Sequence, residues 1–153
     1  MNTTETYQDS RAYPASASDL FSYFLGAIKA VGAETDRSDR ELGIVEAHYS
    51  LKGPFCSPYS FFGQVRISVF ITSNGNDAAE VVIKTYVIYS PLACFRPAAG
   101  KAEEVAVRIL SRVGDAVALA ELGRGKDRER QSEVGENPPV REAGSQVTGK
   151  TAR

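Results

Sequence analysis

The sequence contains no tryptophan, one methionine, one histidine and two cysteines among its 153 residues. One histidine and two cysteines are too few for a zinc site built from these ligand types alone, so no metal site is predicted. No apolar run approaches the roughly 18 residues of a transmembrane helix. Residues 1–6 lack the basic start and apolar stretch of a secretory signal, so we expect a cytoplasmic protein without a membrane partner.

The sequence also has no excess of charge of either sign. It contains 18 lysines and arginines and 19 aspartates and glutamates, which gives a formal net charge of −1. This balance removes the electrostatic argument for nucleic-acid binding. Residues 144–151 match the phosphate-binding pattern G-x-x-x-x-G-K-[ST]. No apolar strand precedes them and two residues follow, so the strand and helix that the motif needs are missing. The sequence predicts no cofactor.

The composition changes after Leu122. Residues 123–153 contain no leucine, isoleucine, phenylalanine, tyrosine or methionine, and they include Pro138 and Pro139. Such a segment cannot bury enough apolar surface to offset the entropy of ordering its backbone. We therefore predict one folded domain over residues 1–122 and a disordered polar tail over residues 123–153.

Two amphipathic helices are predicted. Apolar residues from Leu20 to Val31 recur at helical spacing, with Ser16 or Ser18 available as the N-cap and Gly32 at the end. A second apolar stripe predicts a helix over residues 99–122. The charged residues 33–41 between the first helix and the strands are interpreted as a solvated turn.

Three strands are predicted from alternating apolar and polar residues, over residues 42–51, 61–72 and 79–89. Pairing the apolar rows of the second and third strands requires a loop with an odd number of residues. A five-residue loop from Asn74 to Ala78 puts Val69 opposite Ile83. Residues 4–13 could add an edge strand.

The order of these elements gives an α+β two-layer sandwich with a helix, a three-stranded antiparallel meander and a long C-terminal helix. In element order alone it resembles a reduced helix-grip arrangement, as found in START-like, Bet v 1-type lipid-binding domains. The resemblance implies a sheet that curves around the last helix. Three strands are fewer than the seven of the full arrangement, so a large enclosed cavity is not expected.

The most distinctive chemistry lies in two proline-rich aromatic segments, residues 53–60 and 90–97, which a meander brings to one end of the sheet. Our leading hypothesis is a non-enzymatic domain that binds a small amphipathic or hydrophobic ligand between the sheet and the C-terminal helix. Aromatic rings would line the mouth and two cations would anchor an anionic head group. The residues proposed for this site are Lys52, Phe55, Tyr59, Phe95 and Arg96. A second interpretation is that these aromatic rings close the end of the core.

The two cysteines, Cys56 and Cys94, lie in these same segments and can therefore approach the separation that a disulfide requires. Reduced thiols are the default without an export signal, and a disulfide is the alternative. The single histidine, His48, lies in the middle of a strand on its polar face, away from both cysteines. No nucleophile motif is present, so no catalytic residue is assigned and nothing argues positively for an enzyme.

A competing hypothesis uses the outer face of the sheet. Polar residues on this face are interrupted by Phe70, Val82, Tyr86 and Ile88. A continuous apolar patch of this kind would indicate a protein partner or a homodimer. The alternative function is therefore an interaction or homodimerisation module.

Overall fold

The fold combines one antiparallel sheet with two helices in residues 2–51, 63–89 and 99–135, which are the residues that the computed structural model describes. The strands pair in the spatial order β1-β5-β4-β3-β2. Along the chain the elements are β1 (Asn2–Tyr13), α1 (Ala17–Ala30), β2 (Glu34–Asp39), β3 (Ile44–Leu51), β4 (Gly63–Ser73), β5 (Ala79–Tyr89) and α2 (Lys101–Gly135).

The predicted β4–β5 hairpin is confirmed in its register. Ser73 pairs with Ala79, which leaves the five-residue loop, and Val69 pairs with Ile83. The apolar rows of the two strands therefore share one face, as the alternation requires.

The first helix is confirmed with its cap. The hydroxyl of Ser16 accepts a hydrogen bond of 3.1 Å from the backbone N–H of Asp19, and Asp19 places a negative charge in the first turn. Both features stabilise a helix N-terminus. Gly32 follows the helix with a φ of 87°, a left-handed conformation that favours glycine.

The sheet has five strands, not the three predicted. The edge strand proposed for residues 4–13 is present as β1, which pairs with β5 along its length. The solvated turn predicted for residues 33–41 is wrong, because β2 pairs there with β3. The side chains of β2 are almost all exposed, so the strand shows no apolar alternation. Backbone pairing with β3 holds β2 in the sheet, and its charged side chains are typical of an edge strand.

The core lies between one face of the sheet and both helices. The inner-face side chains of β3, β4 and β5 are buried together with the apolar stripes of α1 and α2 in one cluster. Burial of this surface is the main favourable contribution to folding. The largest fully buried side chains are Phe24, Leu20, Ile28, Ile67, Ile83, Ile109, Leu110, Val45, Val65, Val69, Val81 and Val87.

The last helix continues to Gly135, beyond the end predicted near Leu122. Up to Ala120 it belongs to the compact unit, and from Glu121 the chain forms a separate unit with exposed helical side chains. Opposite charges recur every third residue along Glu121, Arg124, Asp127, Arg130 and Glu133. This i,i+3 spacing supports a helix without a core. The helix thus covers residues 123–135, which the sequence analysis placed in the tail, and residues 136–153 lie outside the described part.

None of the described helices combines the length and the apolar character needed to cross a membrane.

Candidate functional site

The residues proposed for the ligand mouth lie outside the described part of the chain. They are Lys52, Phe55, Tyr59, Phe95 and Arg96, together with both cysteines, Cys56 and Cys94. The strand ends that flank the two segments are described: Leu51 pairs with Gly63, and Gly63 pairs with Tyr89. Both segments therefore start from one end of the sheet, and the roles of the residues within them stay predictions.

A cavity of about 560 Å³ lies at that same end of the sheet. The end of α1, the start of β2, the end of β3 and the start of α2 form its described walls. The lining residues are Val31, Gly32, Glu34, Tyr49, Ser50, Leu51 and Lys101.

The end of α1 is closed by a tight set of backbone hydrogen bonds. The N–H of Gly32 donates to the carbonyl of Lys29, and the N–H of Ala33 donates to that of Ile28, both at 3.1 Å. Together with the left-handed Gly32, these bonds turn the chain into β2 beside the ring of Tyr49. The turn therefore places Glu34 at the edge of the cavity.

The start of α2 is held by two other elements. The N–H of Gly100 donates to the Glu5 carboxylate of β1 at 3.0 Å, and the buried Thr85 hydroxyl of β5 donates to the carbonyl of Ala102 at 2.8 Å. Lys101 pairs with Glu104 at 2.9 Å within the helix. The wall carrying Lys101 is consequently fixed to the sheet.

A polar cluster extends outward from Glu34 across β2, β3 and β4. The Nδ1 of His48 lies 2.7 Å from a carboxylate oxygen of Asp36, and its Nε2 lies 3.6 Å from one of Glu34. Arg66 lies 3.5 Å from the other oxygen of Asp36. With its amide oxygen turned towards Arg66, Gln64 accepts from the guanidinium at 2.6 and 3.0 Å.

A β-bulge creates this arrangement. Thr35 pairs with Ala47, whereas Arg37 pairs with Glu46, so Asp36 is the extra residue of β2. A bulge re-aims the side chain that it inserts, and here that side chain meets His48. Glu34 and Asp36 face different nitrogens of one imidazole and do not converge. Accordingly, no group of three or more acidic, histidine or cysteine side chains within the described ranges is placed to hold a metal ion.

Among the described residues, two groups have shifted pKa values, and both lie on β1, away from the cavity lining. A hydrogen bond to Asp9 raises the pKa of Arg11, against the opposing effect of partial burial. Burial raises the pKa of Tyr13, and this outweighs the lowering effect of nearby Arg11. The hydroxyl of Tyr13 is buried, and no described residue makes a hydrogen bond to it.

On the outer face of the sheet, Phe70 pairs with Val82 on one side and Ile44 on the other, and Phe70 is 43% exposed. Along β5, the exposed Lys84 separates Val82 from Tyr86, which pairs with Arg66. Ile88 pairs with Gln64 at the cavity end. The proposed interface residues thus form a short apolar row and two separate positions, and their role stays a prediction.

The sequence did not single out the described cavity residues. Glu34 was assigned to a turn, and Lys101 and Ser50 carry no motif. The sequence indicated only where in the fold the site lies. In a meander, the end of α1, the end of β3 and the start of α2 lie at the same end of the sheet.

No family model and no curated protein sequence matches the chain. Solved structures with a similar fold include two with TM-scores above 0.5. Ara h 8.0201 has 9% identity and a TM-score of 0.53, over 74% of this chain and 97% of that one. The di-domain ARO/CYC protein BexL from the BE-7585A biosynthetic pathway has 10% identity and a TM-score of 0.51, over 78% of this chain and 47% of that one.

At these identities the similarity concerns the fold alone. Structures similar to this chain have the helix-grip, Bet v 1-like fold. The helix-grip resemblance predicted from element order is therefore confirmed for the fold, with five strands in the described sheet. The chain spans about half the length of the two-domain BexL.

Proposed function

We propose that the protein binds a small amphipathic or hydrophobic molecule in the cavity between the end of β3 and the start of α2. The observation that carries this proposal is the cavity of about 560 Å³. Ligand sites in proteins typically have volumes of about 300–1,000 Å³.

The described walls of the cavity carry both apolar and polar groups. Val31, Tyr49 and Leu51 contribute apolar and aromatic surface, whereas Glu34, Ser50 and Lys101 contribute polar groups. Small-molecule sites combine apolar surface with a few placed polar groups, and the described lining, in which polar surface exceeds apolar surface, supplies the polar part. The aromatic residues of segments 53–60 and 90–97 would extend this surface, because both segments leave the sheet at the same end.

The fold is compatible with this role. BexL, a di-domain ARO/CYC protein from the BE-7585A biosynthetic pathway, has a similar fold over about half of its length. No catalytic assignment is carried over, and binding without chemistry is the function proposed for this chain.

A tryptophan reporter tests the proposal, since the natural chain has none. Ser50 lines the cavity and is exposed, so Ser50→Trp adds an indole to its wall without disturbing the core. Thr72→Trp, at an exposed position on β4, is the matched control. We expect an apolar aromatic ligand such as phenylbutanol to change the emission of Ser50→Trp in a saturable manner and to leave Thr72→Trp unchanged. Equal responses, or none, would refute the proposal.

The second candidate is an interaction module on the outer sheet face, with a homodimer as its simplest form. It is favoured by the exposed Phe70 within the row of Ile44, Phe70 and Val82. Its test is given among the predictions below.

A further inference from the structure

The side chain of Glu34 is the acidic group of the cavity wall, and it is 83% exposed. Among the described residues, the only basic side chain within 4.0 Å of its carboxylate is His48. His48 is charged only when protonated, so no permanent cation lies beside this carboxylate in the described structure.

The other charged residue of the described wall is already neutralised. The ammonium of Lys101 lies 2.9 Å from the Glu104 carboxylate, one turn along α2. The Glu5 carboxylate, which accepts from the N–H of Gly100, adds a further negative charge beside the start of that helix. Of the two charged residues in the described lining, Lys101 is paired and Glu34 has no lysine or arginine within 4.0 Å, so this wall presents an unpaired negative charge to a ligand.

We propose that Glu34 makes the cavity selective for ligands that carry a protonated amine on an apolar body. This inference rests on the proposed binding function and specifies its ligand class. The ammonium group pairs with the Glu34 carboxylate, while the body of the ligand packs against Tyr49 and Leu51. The alternative is a ligand with an anionic head group, which Lys52 and Arg96 would hold.

His48 does not hold the Glu34 carboxylate. Its Nδ1 lies 2.7 Å from a carboxylate oxygen of Asp36, whereas its Nε2 lies 3.6 Å from one of Glu34, beyond hydrogen-bonding distance. Within the described structure the Glu34 carboxylate is therefore left for a ligand cation.

Three probes of matched shape test the proposal: phenylbutylamine, phenylbutanol and phenylbutyrate. Their affinities for the full-length wild-type chain are measured by calorimetry at low salt. We expect the amine to bind about threefold to fivefold more tightly than the alcohol, the range that an exposed charge pair supplies. The carboxylate should bind more weakly than either.

Two variants identify the group responsible. Glu34→Gln keeps the size of the side chain and removes its charge, so the amine should lose its advantage while the affinity for the alcohol stays the same. Glu80→Gln removes an exposed charge on β5 that does not line the cavity, and it should preserve the advantage of the amine.

The outcomes separate this inference from the binding function. If the alcohol binds and the amine shows no advantage, or if Glu34→Gln leaves that advantage intact, the amine selectivity is refuted and the binding function stands. Tighter binding of the carboxylate also refutes it, in favour of an anion anchor. If none of the probes binds, the proposed binding function itself fails for this ligand class.

Discussion

The hydroxyl of Thr85 in β5 donates a hydrogen bond of 2.8 Å to the carbonyl oxygen of Ala102 in the first turn of α2. Thr85 is fully buried, one of two polar residues classed as buried in the described structure. Because a buried hydroxyl requires a partner, this bond ties the start of α2 to the inner face of the sheet. The wall of the cavity that carries Lys101 is thereby held in place.

Thr85→Val should lower the free energy of unfolding by about 1 kcal/mol, the net contribution of a typical hydrogen bond. Valine has nearly the same shape, so packing is largely preserved. Thr72→Val, an exposed threonine on β4, is the matched control and should change stability by less than about 0.5 kcal/mol. Urea unfolding measures both variants. Equal effects would show that the Thr85 bond contributes nothing specific.

Two glycine-to-alanine substitutions should change the stability of the fold in opposite directions. Gly43 has a φ of 66°, and an added Cβ would overlap the carbonyl oxygen of Ile71 on β4. Gly43→Ala should therefore destabilise the fold by about 2 kcal/mol. In α2, a Cβ at Gly114 meets no atom, so Gly114→Ala should stabilise it by about 0.5–1 kcal/mol. Thermal unfolding of the two variants checks the pair, and a stable Gly43→Ala would contradict the close approach to Ile71.

Tyr13 should make stability depend on alkaline pH. Burial raises its pKa in the folded state above the ordinary value of about 10, so above that pH the folded chain binds more protons than the unfolded one. The contribution of Tyr13 to stability therefore falls as the pH rises. Because no described residue makes a hydrogen bond to its hydroxyl, Tyr13→Phe should be as stable as the wild type or more stable by up to about 1 kcal/mol.

The test compares urea unfolding of the wild type and Tyr13→Phe at about pH 8 and about pH 11. The difference between the two proteins should grow at the higher pH in favour of phenylalanine. A difference that stays constant would mean that Tyr13 titrates equally in both states.

Phe70→Glu tests the outer-face alternative. If this face forms a homodimer, a charge at the centre of the apolar row should dissociate it, because a carboxylate is costly to bury in an apolar interface. Sedimentation velocity of the wild type and the variant measures this, with Thr72→Glu on the same strand as control. An unchanged oligomeric state would remove the homodimer hypothesis.

The parts of the fold that bury apolar side chains were predictable from the sequence. The stripe of α1 and the two-residue alternation of β4 and β5 determined those elements, and matching their apolar rows predicted the register. The strand β2 was missed because its exposed side chains carry no such pattern, and pairing with β3 depends on the backbone.

Less of the candidate site than of the fold could be predicted from the sequence. The end of the sheet could be predicted from the connectivity, but Glu34, Ser50 and Lys101 come together only through the fold. The contact between His48 and Asp36 depends on a bulge, which shifts the register by one residue and leaves no distinct composition in β2. The extension of α2 to Gly135 was not predicted, because low hydrophobicity was given more weight than charge spacing.

The most direct test of the central claim is native mass spectrometry of the full chain purified from its own host, under gentle and then denaturing conditions. The account predicts a folded protein carrying extra mass that leaves on denaturation, and that mass identifies the ligand class. A folded dimer whose mass equals two bare chains would contradict the binding function and favour the outer sheet face.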